Sequence, residues 1–298
     1  MSNNKTLHSR SMKEMWVVGT IFLLPAVIIL CVYMIYPIID TFQTSMYNWN
    51  GVNADMKFIG LGNWQELIHD KVFWQSFMHN CTLMVLSIVI QLPIGIALSL
   101  FLWYTGKKSN VFKVVWFFPM LMSSVAVAFL FQYILATNDG MITMFSQLLG
   151  GGKVDLLGNP ARALYAVLGV VCWQSIPFYM IFFLAAYSTI PEELFDAARI
   201  DGATRSKYFW KIMLPNMKGA ISQAAVLAIV GSLKYFDLIF AMTKGGPGTA
   251  TEVMATYMYR NTFITFRMGY GSAIAGGMFI LITLFSLLTL RITRVKED

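Results

Sequence analysis

Five runs of the chain, 15–39, 81–106, 114–138, 163–191 and 268–290, contain no Asp, Glu, Lys or Arg. Twenty residues of α-helix rise about 30 Å, the thickness of a bilayer's hydrocarbon core, so each run is long enough to cross. A sixth apolar stretch, 219–243, is interrupted only by Lys234 and Asp237, and it spans if those charges face the bundle interior or water. Hydrocarbon offers the backbone no hydrogen bonds, which leaves the helix as the form such runs take. The expected fold is an all-α membrane protein with six transmembrane helices. Composition agrees: 57% of residues are hydrophobic and 12% charged, against about half and about a quarter in soluble domains. The 15% aromatic content excludes a disordered or collagen-like chain.

The first run follows Lys5, Arg10 and Lys13, as a secretory signal would. At 25 residues it is longer than a signal's apolar core and no A-x-A site follows, so it is expected to remain as an anchor. Of the 22 Lys and Arg, 14 fall in 1–14, 107–113, 192–218 and 291–298, and seven in 40–80, 139–162 and 244–267. The positive-inside rule then places both termini and the 188–216 loop in the cytoplasm. The net charge of +7 is explained as topology and calls for no nucleic-acid partner. No repeat or linker divides the chain. The expectation is one membrane domain, 15–292, between cytoplasmic tails 1–14 and 293–298, with spans near 15–39, 81–106, 114–138, 163–187, 219–243 and 268–290.

Catalytic constellations are absent from the pattern. His8, His69 and His79 lie outside or at the border of the spans, with no metal-binding helical pair. Asp237 is the only acidic residue well inside a span, so no aspartyl dyad is available. Phe101 stands where a phosphate loop ending at Lys107-Lys108-Ser109 would need glycine. Cys31, Cys81 and Cys172 lie in or beside apolar runs and are expected as packing residues, not as a disulfide or zinc framework. The chain is therefore expected to hold no metal or nucleotide and to be no enzyme.

The most polar loop predicted on the cytoplasmic side, 188–216, is patterned as two short helices. Pro191 suits a first helical position, Glu192 and Glu193 complement the positive end of a helix dipole, and Arg199 sits toward the other end. Gly202 supplies a left-handed terminator, a second helix follows from Ala203, and Pro215 marks entry into the fifth span.

Asp196-Ala197-Ala198, three residues, Gly202, nine residues, Ile212, one residue and Leu214-Pro215 resembles the E-A-A-x3-G-x9-I-x-L-P loop of importer permeases of the ATP-binding cassette class. Asp stands where Glu is usual. Phe22 to Ala26, Tyr36-Pro37, Phe236-Asp237, Thr243 to Pro247, Thr256-Tyr257, Tyr259 and Gly269 to Ala273 are similar to MalF/UgpA-like membrane subunits of carbohydrate importers. The similarity runs from about residue 16 to 292.

That resemblance implies a type I importer permease fold in a bacterial inner membrane. It also implies a coupling helix carried by Glu193, Asp196, Ala197, Ala198, Gly202, Ile212, Leu214 and Pro215. The implied partners are a second homologous permease, two ATPase subunits that bind ATP and Mg, and an extracytoplasmic sugar-binding protein. Oligosaccharide, glycoside and glycerophosphodiester importers share these motifs, so a sugar class is implied and no single sugar. An ion-driven secondary transporter would need coupling carboxylates and inverted repeats, and one interior Asp without a visible repeat argues against it.

Two further sites are expected. Trp173, Gln174, Ser175 and Phe178 cluster around Pro177, which is expected to break the fourth span and free a carbonyl. On the fifth, Ala228, Gly231, Ser232 and Tyr235 share one helical face. The resemblance places substrate between these helices, with Gln174, Ser175, Phe178, Gly231, Ser232 and Tyr235 along its path. Lys234 and Asp237 are expected as an ion pair that orders the helix. Gly245-Gly246-Pro247-Gly248 offers flexibility and close backbone approach, and the resemblance implies docking of the sugar-binding protein there, shared with residues 40–80.

Overall fold

The computed structural model describes residues 3–106 and 110–293. The Lys107-Lys108 loop and the tail from 294, which carry part of the charge argument, lie outside the described residues. Four helices are long and apolar enough to span a membrane, and two strongly bent helix pairs bring the number to six if each pair is one span. The expected all-helical character stands. The straightness of the third and fifth spans does not.

The chain divides into two compact units, 1–68 with 261–276 and 69–260 with 277–298. In the first, α1 (Asn3–Leu30), a π-helical turn (Cys31–Ile35) and α2 (Tyr36–Thr44) run on as one rod. Helix therefore begins within the segment expected as a tail, where neither Pro nor Gly interrupts residues 3–14. None of this rod's apolar window is buried within the chain. After it, β1 (Tyr47–Asn48) pairs antiparallel with β2 (Lys57–Phe58), Tyr47 opposite Phe58, and α3 (Gly62–His69) follows. The Asn63 amide donates to the carbonyls of Ser45 and Tyr47 at 2.8 and 2.9 Å, and the Trp64 indole donates to Ser45 Oγ at 2.9 Å. Arg267 grips both Glu66 oxygens at 2.7 Å.

In the second unit, α4 (Lys71–Thr105) starts ten residues before the expected span. Asp70 caps it, its carboxylate accepting from Val72 N at 2.8 Å and Phe73 N at 3.3 Å. The third span is two helices, α5 (Asn110–Leu121) and α6 (Ser124–Ile134), bent by 98°. Pro119 weakens the last turn of α5, and Ser123 leaves helical backbone as the N-cap of α6. The short α7 (Met141–Leu148) precedes α8 (Pro160–Tyr187), which is capped by Asn159 and packs along α4. Contrary to expectation, Pro177 does not break α8. Its ring is buried, and the missing hydrogen bond is tolerated inside a helix held on both sides of it by packing.

The 188–216 loop forms α9 (Glu192–Ile200), α10 (Arg205–Tyr208), a π-helical turn (Phe209–Met213) and α11 (Leu214–Asn216). A 66° bend leads into α12 (Lys218–Leu233), which packs on α4. The fifth span then stops: Lys234 to Phe236 are not helical, and α13 (Asp237–Thr243) starts anew. Ala228, Gly231, Ser232 and Tyr235 therefore do not share one helix face. The expected Lys234–Asp237 ion pair does not form among the described residues: Lys234 caps the end of α12 and Asp237 starts α13, so the two no longer share a helical turn. The chain closes with α14 (Met254–Tyr259), a further π-helical turn (Arg260–Ile264) and α15 (Met268–Thr293).

Two apolar clusters hold the second unit, one around Leu83, Val127, Val167, Val171 and Ile239, the other around Leu92, Phe183, Tyr187, Tyr208 and Met217. Cys172 is buried in the first and accepts a 3.6 Å hydrogen bond from Gln91, while Cys31 is exposed and all three cysteines are free.

Candidate functional sites: a loop helix, a cavity and a glycine turn

At the loop motif, α9 ends in a pattern that requires glycine. Gly202 has φ +68°. Its N–H donates to Arg199 O at 3.1 Å and Ala203 N–H to Ala198 O at 2.9 Å, the paired bonds that close a helix through a left-handed residue. Ala198 turns inward and is buried, packed in the cluster of Phe195 and Tyr208. Phe195 meets the edges of Trp103 and Tyr208 at centroid distances of 5.5 and 5.1 Å. Glu193, Asp196, Ala197 and Gly202 face outward, as does Pro215, and Ile212 and Leu214 are half-buried. Leu194, Ile200 and Trp210 are exposed large apolar side chains beside them, Ile200 at 86%. Behind α9 lies a cavity of about 480 Å³, walled by Trp103, Tyr187 and Tyr208 and edged by Glu192 and Asp196. The motif thus builds a rigid helix on an aromatic bed with a mixed acidic and apolar outer face, the surface expected of a docking element.

A second cavity, about 240 Å³, opens where the third and fifth spans break. Gln174, Ser175 and Tyr235 line it together with Ser124, Lys234 and Asp237. The Gln174 amide donates at 3.2 Å to Met122 O, a carbonyl at the α5–α6 break. Of the other expected pathway residues, Phe178 and Gly231 lie outside this cavity, and Ser232 is fully buried. Ser232 instead offers its carbonyl to the Asn80 amide of α4 at 2.9 Å. Lys234, Asp237 and Ser124 were missed as lining residues, and two charges within an apolar stretch were the signal that pointed to them.

Opposite in sequence character is the turn at 244–252. Gly245, with φ +88°, is buried, Gly246 and Pro247 are half-buried, and Gly248, with φ +61°, is exposed. The turn is not a flexible tether. Gly246 N donates to Thr243 O at 2.9 Å, Thr251 N to Gly245 O at 3.1 Å, and Thr251 Oγ1 to Gly246 O at 2.8 Å. Thr249 Oγ1 donates to Gln75 Oε1 at 3.2 Å, so α4 flanks the turn. Among the described residues no group of three His, Cys, Asp or Glu could hold a metal.

Residues 91–295 match the family described as binding-protein-dependent transport system inner membrane component. A probable ABC transporter permease protein of Bacillus subtilis, YurN, is 32% identical over 95% of this chain and 98% of its own. The multiple sugar-binding transport system permease protein MsmF of Streptococcus mutans is 30% identical over 94% of this chain and 96% of its own. Among solved structures, a bacterial alginate ABC transporter in complex with an alginate pentasaccharide-bound periplasmic protein aligns with a TM-score of 0.81. It is 24% identical and covers 96% of both chains. That likeness gives the type I importer permease fold. The chain belongs to the inner-membrane components of binding-protein-dependent transport systems.

Proposed function

We propose that this chain is the permease subunit through which a sugar or oligosaccharide crosses the membrane, in a pathway shared with a second homologous permease. An extracytoplasmic binding protein delivers the sugar at the Gly245-Gly246-Pro247-Gly248 turn. Two separate ATPase subunits bind ATP and Mg and dock on α9. The relative MsmF is named for a multiple sugar-binding transport system and the structural neighbour for alginate, and the cavity has the chemistry to receive a sugar. Gln174, Ser175 and Ser124 offer hydrogen-bonding groups, and Tyr235 offers a ring for an apolar sugar face.

The observation that carries this reading is α9: a helix closed by Gly202, seated on Phe195 and Tyr208, whose outer face bears Asp196 beside exposed Leu194 and Ile200. Coupling of ATP hydrolysis to uptake is the test. In proteoliposomes containing the full complex, uptake of labelled sugar should require ATP and the binding protein. Asp196→Lys should lower uptake at least about tenfold, as expected when a charge at an interface is reversed, while the permease keeps its membrane abundance. Uptake driven by an ion gradient without ATP would overturn the reading.

A further inference from the structure

Beside the glycine turn a carboxylate is buried where solvent could have kept it. Glu252 lies between the spans, and its side chain is fully inaccessible. Thr256 Oγ1 donates to its Oε1 at 2.6 Å, and Arg260 pairs with its Oε2. The backbone of Glu252 is engaged as well: its N–H donates to Thr249 O at 3.2 Å and its carbonyl lies 2.8 Å from His79 Nδ1. Gly245 rests directly on the carboxyl group, since a Cβ there would stand 2.8 to 2.9 Å from its three atoms. Arg260 also reaches the near end of the turn, donating to Lys244 O at 3.4 Å, and Lys244 itself holds a left-handed φ of +51°. One ion pair therefore touches the turn at its first glycine and at the residue before it.

Buried pairs add little net stability, because desolvation offsets their attraction, whereas they define geometry sharply. We infer that Glu252 and Arg260 are positioning residues that hold Lys244–Gly248 in a single shape, so that the extracytoplasmic binding protein meets a preformed surface. The inference rests on the reading of this turn as that protein's docking site. Preorganisation acts by removing the ordering cost of association, so the pair should tune the affinity of docking and leave the rate of the docked complex unchanged.

The measurement is the binding-protein concentration that half-maximally stimulates ATPase activity of the full complex in nanodiscs. Glu252→Gln, which keeps an acceptor for Thr256, and Arg260→Gln should each raise that concentration about tenfold, with basal and maximal rates unchanged. Arg260→Lys should recover most of the loss. A merely structural pair would lower the amount of assembled complex and leave the half-maximal concentration alone, and that result overturns the inference. Gly246→Trp separates the two readings: if it weakens stimulation while the pair variants do not, the turn docks but the pair does not position it. If Gly246→Trp has no effect, the docking reading fails and the inference falls with it.

Discussion

At Gly202 a single torsion decides where α9 stops. Nothing lies within 4 Å of a Cβ built there, so a substitution meets no neighbour and its cost is the left-handed backbone alone, about 1–2 kcal/mol for an ordinary L residue and less for Asn. The expected order of damage is Asn, then Ala, then Val, read as sugar transported per ATP hydrolysed. Equal coupling for Gly202→Asn and Gly202→Val would mean that the torsion is immaterial and that only the surface of α9 matters. The need for glycine was legible from the sequence, because a left-handed terminator after a short helix is a local requirement. At Gly245, with φ +88°, the sequence offered the glycine turn but not the second demand on it, which comes from the Glu252 carboxylate seven residues on. Burial pushes that carboxyl above the usual carboxylate range, and the Thr256 hydroxyl and the Arg260 guanidinium oppose the shift. Such a balance depends on who is packed against whom, which no spacing rule encodes.

Element by element, hydropathy located the spans and misjudged their continuity. Pro177 was expected to break its helix and sits buried inside an unbroken one, whereas the third and fifth spans break near Ser123 and at Lys234–Phe236. The difference lies in what receives the freed backbone groups. Gln174 takes Met122 O at one break, and at the other the Asn80 amide donates to Ser232 O at 2.9 Å, while its oxygen accepts from Met254 N at 3.0 Å and so ties the end of α12 to the start of α14. Asn80 is 152 residues from Ser232 and 174 from Met254 in the chain, so only tertiary structure reveals the link. Asn80→Leu leaves two buried backbone groups without that partner, at about 1–3 kcal/mol each. The purified complex should lose several degrees of thermal stability, and uptake should fall because the end of α12 borders the cavity. Wild-type stability in Asn80→Leu would show that water or a relaxed backbone replaces the amide.

For the whole molecule, the roles proposed for α9 and the glycine turn require that the two lie on opposite sides of the membrane, and the charge distribution is the ground for that orientation in the sequence. Fourteen Lys and Arg on one set of loops against seven on the other predict α9 inside and the turn outside. Single cysteines probe this directly. Cys31 is exposed and Cys81 half-buried, so both are first replaced by Ala; Cys172, buried at 4% exposure, can stay. Lys57 and Lys153 are exposed on segments assigned outside, and Arg205, stacked 5.1 Å from the Tyr104 ring, is exposed on the segment assigned inside. In intact cells an impermeant thiol reagent should label Lys57→Cys and Lys153→Cys, and should reach Arg205→Cys only after the membrane is opened. Among the described residues Lys57 makes no ion pair and the Lys153 ammonium donates to Asn138 at 3.0 Å, so these changes should leave the fold intact and the labelling interpretable. The opposite pattern would put the glycine turn in the cytoplasm and α9 outside, where no ATPase could reach it, and would remove the physical basis for coupling.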